Sequence, residues 1–510
     1  MGLGDARYMF DNGYADEAFL AERVNQVEEY RQSLAPFTLE FAAETTGLSV
    51  EELTAAAELI GKASAVCIVW AMGITQHSHG ADASTALSNL LLVTGNYGRP
   101  GTGGYPMRGH NNVQGASDFG CLKDYYPGYE SVSDESVREK WARAWGVEPE
   151  RLSLEAGSDN FEMVEHARTK QIRAMYVIGE ETAFADADTT NVHEGFTNLD
   201  FLVVQDLFFS RTAQFADVVL PGCPSVEKEG TYVNTERRIQ RFYEALAPLG
   251  DSRPDWRILT ELAARMGHDW GYTHPSQIMA EAARIAPLFA GVSYERLEGF
   301  SSQVWPVTAE GKSTPLLYTD KFKTPDGRAI LYPLEWQPPQ EAPDEQYDLT
   351  LNNGRMLEHF QATNQSGRGG RTISLSPDWF VEISPELAAE RGLGEGDWVK
   401  LTSRRGSLEV PVVVTDRVAG GTLFISIHQG KPGINLLTGE HHDPDVNTPA
   451  YKEIAIRLEK LSREPHPSPL PRHNFRYGNR TPIPHVQVEE KWQRDDYRLP
   501  PEQAPHPEKF

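Results

Sequence analysis

Apolar and polar positions follow two rhythms along this chain, and the change falls near residue 340. Before it, short apolar runs alternate with stretches of helical spacing. Residues 14–62 read as helical, with Ser49-Val50-Glu51-Glu52 as a capping box ahead of Ala-rich sequence. Residues 65–70 (Ala-Val-Cys-Ile-Val-Trp) form an apolar run suited to a buried parallel strand. It ends at Met72-Gly73, and residues 81–94 resume helical spacing. The same grammar recurs at 174–178, closed by Gly179-Glu180-Glu181, at 201–204, closed by Gln205-Asp206, and at 217–220, closed by Pro221. Buried strands alternating with helices predict an α/β fold of doubly wound, Rossmann-like layers over residues 1–340, divisible into two subdomains. Ligands of such layers sit at the carboxyl ends of the strands.

After Pro338-Pro339 and a charged linker reaching Asp348, the period becomes two. Strands are predicted at 347–351, 398–402 and 407–415, the last two joined by a turn at Arg404-Arg405-Gly406. Leu408, Val410, Val412 and Val414 share one face, as do Val399 and Leu401 on the partner strand. Residues 341–462 therefore read as a second, mostly β, barrel-like domain. Residues 463–510 are rich in proline (Pro465, Pro467, Pro469, Pro471) and are expected to run extended over a surface, pinned by Phe475, Tyr477 and Trp492.

Charge narrows the function. The 510 residues carry a formal net charge of −25. That balance opposes a nucleic-acid or anionic-lipid partner, since both need clustered cations. No apolar run approaches the roughly 20 residues of a membrane helix, and the first residues lack a secretory pattern, so a cytoplasmic protein is expected. The cysteines, Cys67, Cys121 and Cys223, contain no CxxC. They exclude a zinc ribbon or a four-cysteine iron–sulfur site built from this chain alone and read as ordinary, partly buried thiols.

Two stretches carry candidate chemistry. Residues 94–115 are dense in Gly and then place Arg108, His110, Asn111, Asn112 and Gln114 within seven positions. Glycine lets backbone approach a bulky polar ligand, and a cluster of amides beside an Arg is costly to bury unless hydrogen-bonded. Alone, a ligand cradle and a solvated loop are equally good readings. The second stretch runs from Gln205-Asp206 through Thr212 and Ala216-Asp217-Val218-Val219-Leu220-Pro221 to Gly230-Thr231-Tyr232-Val233-Asn234 and Arg237-Arg238. A carboxylate at a strand end can accept two donors from a guanine edge, while hydroxyls and backbone N–H groups hold phosphates. Singly, each residue is more often a cap or turn former.

These blocks, with Arg253-Pro254-Asp255-Trp256, Ser293-Tyr294-Glu295-Arg296-Leu297, Asn353-Gly354-Arg355 and Thr448-Pro449-Ala450-Tyr451-Lys452, resemble the molybdopterin oxidoreductase family. Within it they are similar to the catalytic (alpha) subunit of metal-dependent formate dehydrogenases, over about residues 5–460. The resemblance implies a bis-(molybdopterin guanine dinucleotide) cofactor carrying Mo or W, and a double-psi-barrel-like second domain. Carried over by position, the cofactor candidates are Met72, Gly73, Gln76, Gly109, Gly179, Glu180, Gln205, Asp206, Thr212, Gly230, Asn234 and Asp255, then Arg355, His359, Tyr451 and Lys452. Arg108 matches the arginine that faces substrate. Formate is a planar carboxylate, and a guanidinium binds such a group through two parallel hydrogen bonds. His110 stands where many relatives carry Gln and is a second catalytic candidate. Gln76-His77-Ser78-His79 lacks further partners for zinc, His441-His442-Asp443 reads as a turn, and the glycines at 101–104 precede a polar loop and not a helix.

One departure stands out. Full-length members begin with a cysteine motif for a 4Fe–4S cluster, then a Cys or selenocysteine metal ligand, and this sequence has neither. The resemblance then implies a split enzyme, or a shortened gene product, inactive until a partner chain supplies cluster, metal ligand and half the cofactor cradle. Electrons would leave through iron–sulfur subunits, with flavin and NAD beyond. Rival readings are a molybdopterin enzyme acting on nitrate, arsenite or another oxyanion, and a non-catalytic cofactor-binding or scaffold module.

Overall fold

The computed structural model describes residues 1–368, 376, 378–428, 430 and 433–467. The proline-rich tail from 468 onward, with its aromatic residues, lies outside the described residues.

Helices Glu17–Arg23, Val27–Ser33, Leu39–Thr46 and Val50–Lys62 fill the stretch predicted helical. The capping box forms: the Ser49 hydroxyl accepts from the Glu52 N–H at 3.2 Å, and the Glu52 carboxylate accepts from the Ser49 N–H at 2.9 Å. An additional helix, Gly2–Asp11, buries Ala6 and Met9 in the same cluster as Leu90 and Val93 of helix Gly80–Val93.

Strand β1 (Cys67–Trp70) pairs in parallel with β2 (Gly103–Pro106). The glycine-rich stretch is therefore not a plain polar loop, as its composition suggested. Gly104 lies where a Cβ would come within 2.9 Å of the Trp70 ring, so the glycine allows the two strands to pair. A short helix, Val113–Asp118, closes the segment.

Strands β3 (Ala174–Ile178), β4 (Phe201–Asp206) and β5 (Val218–Pro221) form a parallel sheet in that order, with Ile178 opposite Gln205 and Asp206 opposite Pro221. Their carboxyl ends are thus level. The strands are less buried than their apolar sequences imply. Leu202 and Val204 of the central strand are 1% and 0% exposed, whereas Val69 is 60% and Val218 and Val219 are each 38% exposed. The sheets hold two and three strands, and edges and one face stay open, whereas parallel sheets are as a rule covered on both faces. Cys67 on that open face and Cys121 are exposed, and only Cys223 is buried, correcting the expectation of partly buried thiols.

A hairpin, β6 (Gly230–Val233) and β7 (Arg238–Phe242), carries strand Ser302–Val304 on its outer edge. The remaining strands are β8 (Leu349–Gly354), β9 (Val381–Ile383), β10 (Trp398–Thr402), β11 (Ser407–Val414), β12 (Thr422–Ser426) and β13 (Ile454–Lys460). They close a six-stranded barrel in the order β8-β12-β9-β11-β10-β13. The predicted period-two faces point inward: Val399, Leu401, Val410 and Val412 are all 0% exposed. Among the described residues no helix is long and apolar enough to cross a membrane.

Leu401→Ala empties a fully buried position of the barrel. We expect it to destabilise the barrel by about 2–5 kcal/mol, read as a lower midpoint in urea unfolding at unchanged slope.

Candidate active site

The level strand ends of the α/β part meet the rim of the barrel, and two cavities open there. The first, about 500 Å³, is walled by Met72 and Gln76 after β1, by Arg108, Gly109 and His110 after β2, and by Glu180 and Asp186 after β3. The barrel contributes Asn353 and Arg355 at the end of β8, and Tyr451 and Lys452 before β13. The second, about 650 Å³, lies beside Gly179, Gln205, Asp206, Lys228, Tyr232 and Asp255, and Val113 borders both. Both fall in the roughly 300–1,000 Å³ range of small-molecule sites.

The first cavity is electrically divided. Arg108, Arg355 and Lys452 face it, and among the described residues none of the three has a carboxylate ion pair. Arg355 instead donates to the Met72 sulfur at 3.2 Å and to Gln361 at 2.6 Å, and Lys452 donates to the backbone carbonyl of Asn353. Burial and the Arg355 charge pull the Lys452 ammonium down to about 8. The same two causes lower the His110 imidazole below its ordinary value. Arg108 itself is exposed to solvent at the cavity wall. The far side is acidic but reluctant to ionise: burial, with Glu180 nearby, pushes Asp186 up to about 7, and burial raises Glu180 as well. Such carboxyls can donate as well as accept hydrogen bonds.

In the second cavity the Asp206 carboxylate accepts from the Leu207 N–H at 2.6 Å and is raised by burial. Gln205 accepts from Tyr176 and donates to Asp255 at 2.6 Å, and Lys228 pairs with Asp255. Gly179 has a φ of +64° with no atom within 4 Å of a would-be Cβ, leaving room for a ligand to approach the backbone.

Other residues named from the sequence are placed elsewhere. Gly73 follows Met72 without lining the cavity, and its carbonyl contacts a His77 ring nitrogen at 3.0 Å. His77 also meets Glu453 at 2.9 Å, which ties the barrel to the α/β part. Thr212 is buried, where its hydroxyl accepts from the Ala183 N–H at 3.1 Å and its N–H donates to Glu181 at 2.9 Å. Gly230 lies under the Phe242 ring. The Asn234 side chain accepts from the N–H groups of Glu236 and Arg238, both at 3.1 Å, shaping the hairpin turn. His359 is buried against the Ser376 carbonyl at 2.6 Å. The sequence reading did not name Asp186 or Lys228 as site residues, and it quoted Asn353 only within a matching block. Asn353 is 2% exposed, and its amide nitrogen has no partner among the described residues. Its place at a strand end, beside Arg355, was the available signal.

Comparison with known proteins agrees with this geometry. The pattern of the Molybdopterin oxidoreductase family matches residues 18–265, and that of the Molydopterin dinucleotide binding domain matches residues 349–455. The chain belongs to the molybdopterin oxidoreductase family. It is 54% identical over 496 residues to "Probable oxidoreductase YjgC" of Bacillus subtilis strain 168, covering 97% of this chain and 50% of that protein. It is 47% identical to "Putative formate dehydrogenase YrhE" of the same strain, covering 96% and 50%. A "Putative formate dehydrogenase" of Staphylococcus aureus strain USA300 is 49% identical, covering 98% and 51%. The chain thus spans about half the length of the curated relatives it matches. The acetylene hydratase of Pelobacter acetylenicus shares the fold, with a TM-score of 0.71 at 19% identity over 90% of this chain and 70% of that one.

The residues present fit a molybdopterin dinucleotide. Three cations without carboxylate partners among the described residues suit an anionic ligand, the Asn353 amide, unpartnered among them, awaits an acceptor, and strand-end carboxyls suit the donor-rich edges of pterin and guanine.

Lys452 gains its charge as pH falls through about 8, and an anion bound beside it raises that value again. Binding of inorganic pyrophosphate to the chain should therefore weaken as pH rises from 7 to 9.5 in titration calorimetry. Lys452→Gln should flatten that dependence.

Proposed function

We propose that this chain is the C-terminal portion of a metal-dependent formate dehydrogenase catalytic subunit. It oxidises formate to CO2, or runs the reverse reaction, in a complex. In this reading Arg108 and His110 act on substrate, and the strand-end and barrel-rim residues hold a bis-(molybdopterin guanine dinucleotide) group with Mo or W. Another polypeptide completes the centre with the metal ligand and a 4Fe–4S cluster, and electrons leave through iron–sulfur partners toward NAD. The observation that carries it is Arg108, a guanidinium without a carboxylate partner among the described residues, on the wall of a cavity shared with Arg355 and Lys452.

The chemistry balances as formate giving CO2, a proton and two electrons. When bound, the cofactor's metal accepts the two electrons. Arg108 supplies binding and aim. Its Nε is engaged by Gln114 at 3.3 Å, which leaves the two terminal nitrogens to meet both formate oxygens in parallel. His110, kept neutral near pH 7 by burial and Arg355, can receive the released proton on a ring nitrogen. Its ring is held edge-on to Phe360, with centroids 4.9 Å apart. Two features support the second polypeptide: apolar residues exposed on parallel strands β1 and β5, and an Arg108 that solvent reaches. A protein partner over those strands would bury the first and exclude water from the second.

In the assembled enzyme, Arg108→Ala should lower kcat/KM for formate roughly 100- to 1,000-fold. Metal and pterin content should stay unchanged, and Arg108→Lys should fall between. Wild-type turnover in Arg108→Ala would remove the substrate role.

A further inference from the structure

Behind Arg108 lies a buried polar network that none of the site residues accounts for. Helix Val113–Asp118 places Gln114 and Asp118 four residues apart, on one face. Asp118 is 0% exposed and has no ion pair among the described residues. Its carboxylate is satisfied by three neutral donors: Gln114 Nε2 at 2.6 Å and the Tyr129 hydroxyl at 2.8 Å on one oxygen, and Trp305 Nε1 at 2.6 Å on the other. Gln114 Nε2 also donates to the Tyr129 oxygen at 3.0 Å.

Both amide hydrogens of Gln114 therefore point at Asp118 and Tyr129, and the amide oxygen is left facing the other way. There it accepts Nε–H of Arg108 at 3.3 Å. Flipping the amide would set its NH2 against the guanidinium and its oxygen against the Asp118 carboxylate, two repulsions at once. The carboxylate thus fixes the direction of the amide, and the amide fixes the guanidinium. Hydrogen bonds in such a chain polarise one another, so the charge on Asp118 strengthens the acceptor that Arg108 sees. The Arg108 backbone is held independently, its N–H donating to the Thr235 hydroxyl at 3.1 Å. Burial raises the Asp118 carboxyl above its ordinary value, and its hydrogen bonds and the Arg108 charge offset only part of that rise.

We infer that Asp118, acting through Gln114, is a positioning residue that aims the Arg108 guanidinium at the substrate carboxylate. The inference rests on the reading of Arg108 as the formate-binding group. A residue that only glued the core would not couple to Arg108.

The test is a double-mutant cycle in the assembled, formate-oxidising enzyme. Asp118→Asn keeps the shape and loses the charge, and Gln114→Met removes the relay while leaving Asp118, Tyr129 and Trp305 in place. Each should lower kcat/KM for formate about 10- to 50-fold, mainly through KM, the size expected for one charge-assisted hydrogen bond. In an Arg108→Ala background neither should cost more than about twofold further, since acting as a unit makes losses non-additive. A readout apart from turnover is protection of Arg108 from phenylglyoxal by sodium formate, followed by peptide mass spectrometry. Either variant should need about tenfold more formate for equal protection. Should Asp118→Asn fail to fold, Gln114→Met decides alone. Losses that multiply with Arg108→Ala, or an unchanged KM and protection, overturn the inference and leave the formate reading standing. Wild-type formate kinetics in Arg108→Ala would take down both.

Discussion

Like charge held in a confined space governs this structure. Arg108, Arg355 and Lys452 converge on one cavity, and the carboxyls on its far wall, Glu180 and Asp186, are themselves pushed toward neutrality by burial. No carboxylate among the described residues pairs with the three cations, and the Lys452 ammonium is weakened by burial and by its Arg355 neighbour. Charges of one sign gathered around one cavity repel one another, and the cost grows with desolvation unless something of the other sign joins them. A polyanionic dinucleotide is the ligand whose arrival would relieve that cost. The demand comes from side chains on both the α/β part and the barrel, so the cavity exists only while the barrel stays seated on the α/β part.

That seating is built from polar contacts. Glu453, just before β13, accepts from the Ser78 hydroxyl at 2.5 Å and meets His77 at 2.9 Å, and Asn447 donates to Asp159 at 2.7 Å. The Asn435 amide donates to the Ala185 carbonyl at 2.7 Å, next to Asp186. Asn435 and Ala185 themselves line the first cavity, and Glu453 directly follows Lys452 of its wall. Elsewhere the α/β part leaves apolar strand surface uncovered, at Val69, Ile178 and Val219, in a chain that spans half the length of its curated relatives. The proposed partner polypeptide would cover both the open strands and the solvent-reached Arg108.

Much of this could be read from residue order. The period-two face of Leu408, Val410 and Val412 gave the barrel wall, and the apolar runs ending at Ile178 and Gln205-Asp206 gave the ligand edge of the sheet. Local rules suffice there, because side-chain alternation and strand length are properties of short segments. Strand β2 was hidden for the opposite reason: its Gly103-Gly104 start has no strand signal of its own, and its pairing depends on β1, more than thirty residues earlier. The helix Gly2–Asp11 opens with two glycines, which are poor helix formers, and is fixed by packing on helix Gly80–Val93. Within the site, sequence placed Thr212 and His359 beside cavity residues. Whether a side chain faces a cavity or a neighbouring loop is decided by tertiary hydrogen bonds, such as Thr212 to Glu181. The orphaned Asn353 amide and the Asp118–Gln114 relay are likewise visible only once the chain is folded.

Metal and nucleotide analysis of the native complex tests the central claim most directly. The chain, purified from its own cells under anoxic conditions with whatever copurifies, would be assayed for Mo and W and for guanine released on acid hydrolysis. The account predicts one metal and two guanine nucleotides per chain, together with a second polypeptide carrying iron–sulfur cysteines. A folded complex holding neither metal nor guanine would contradict it.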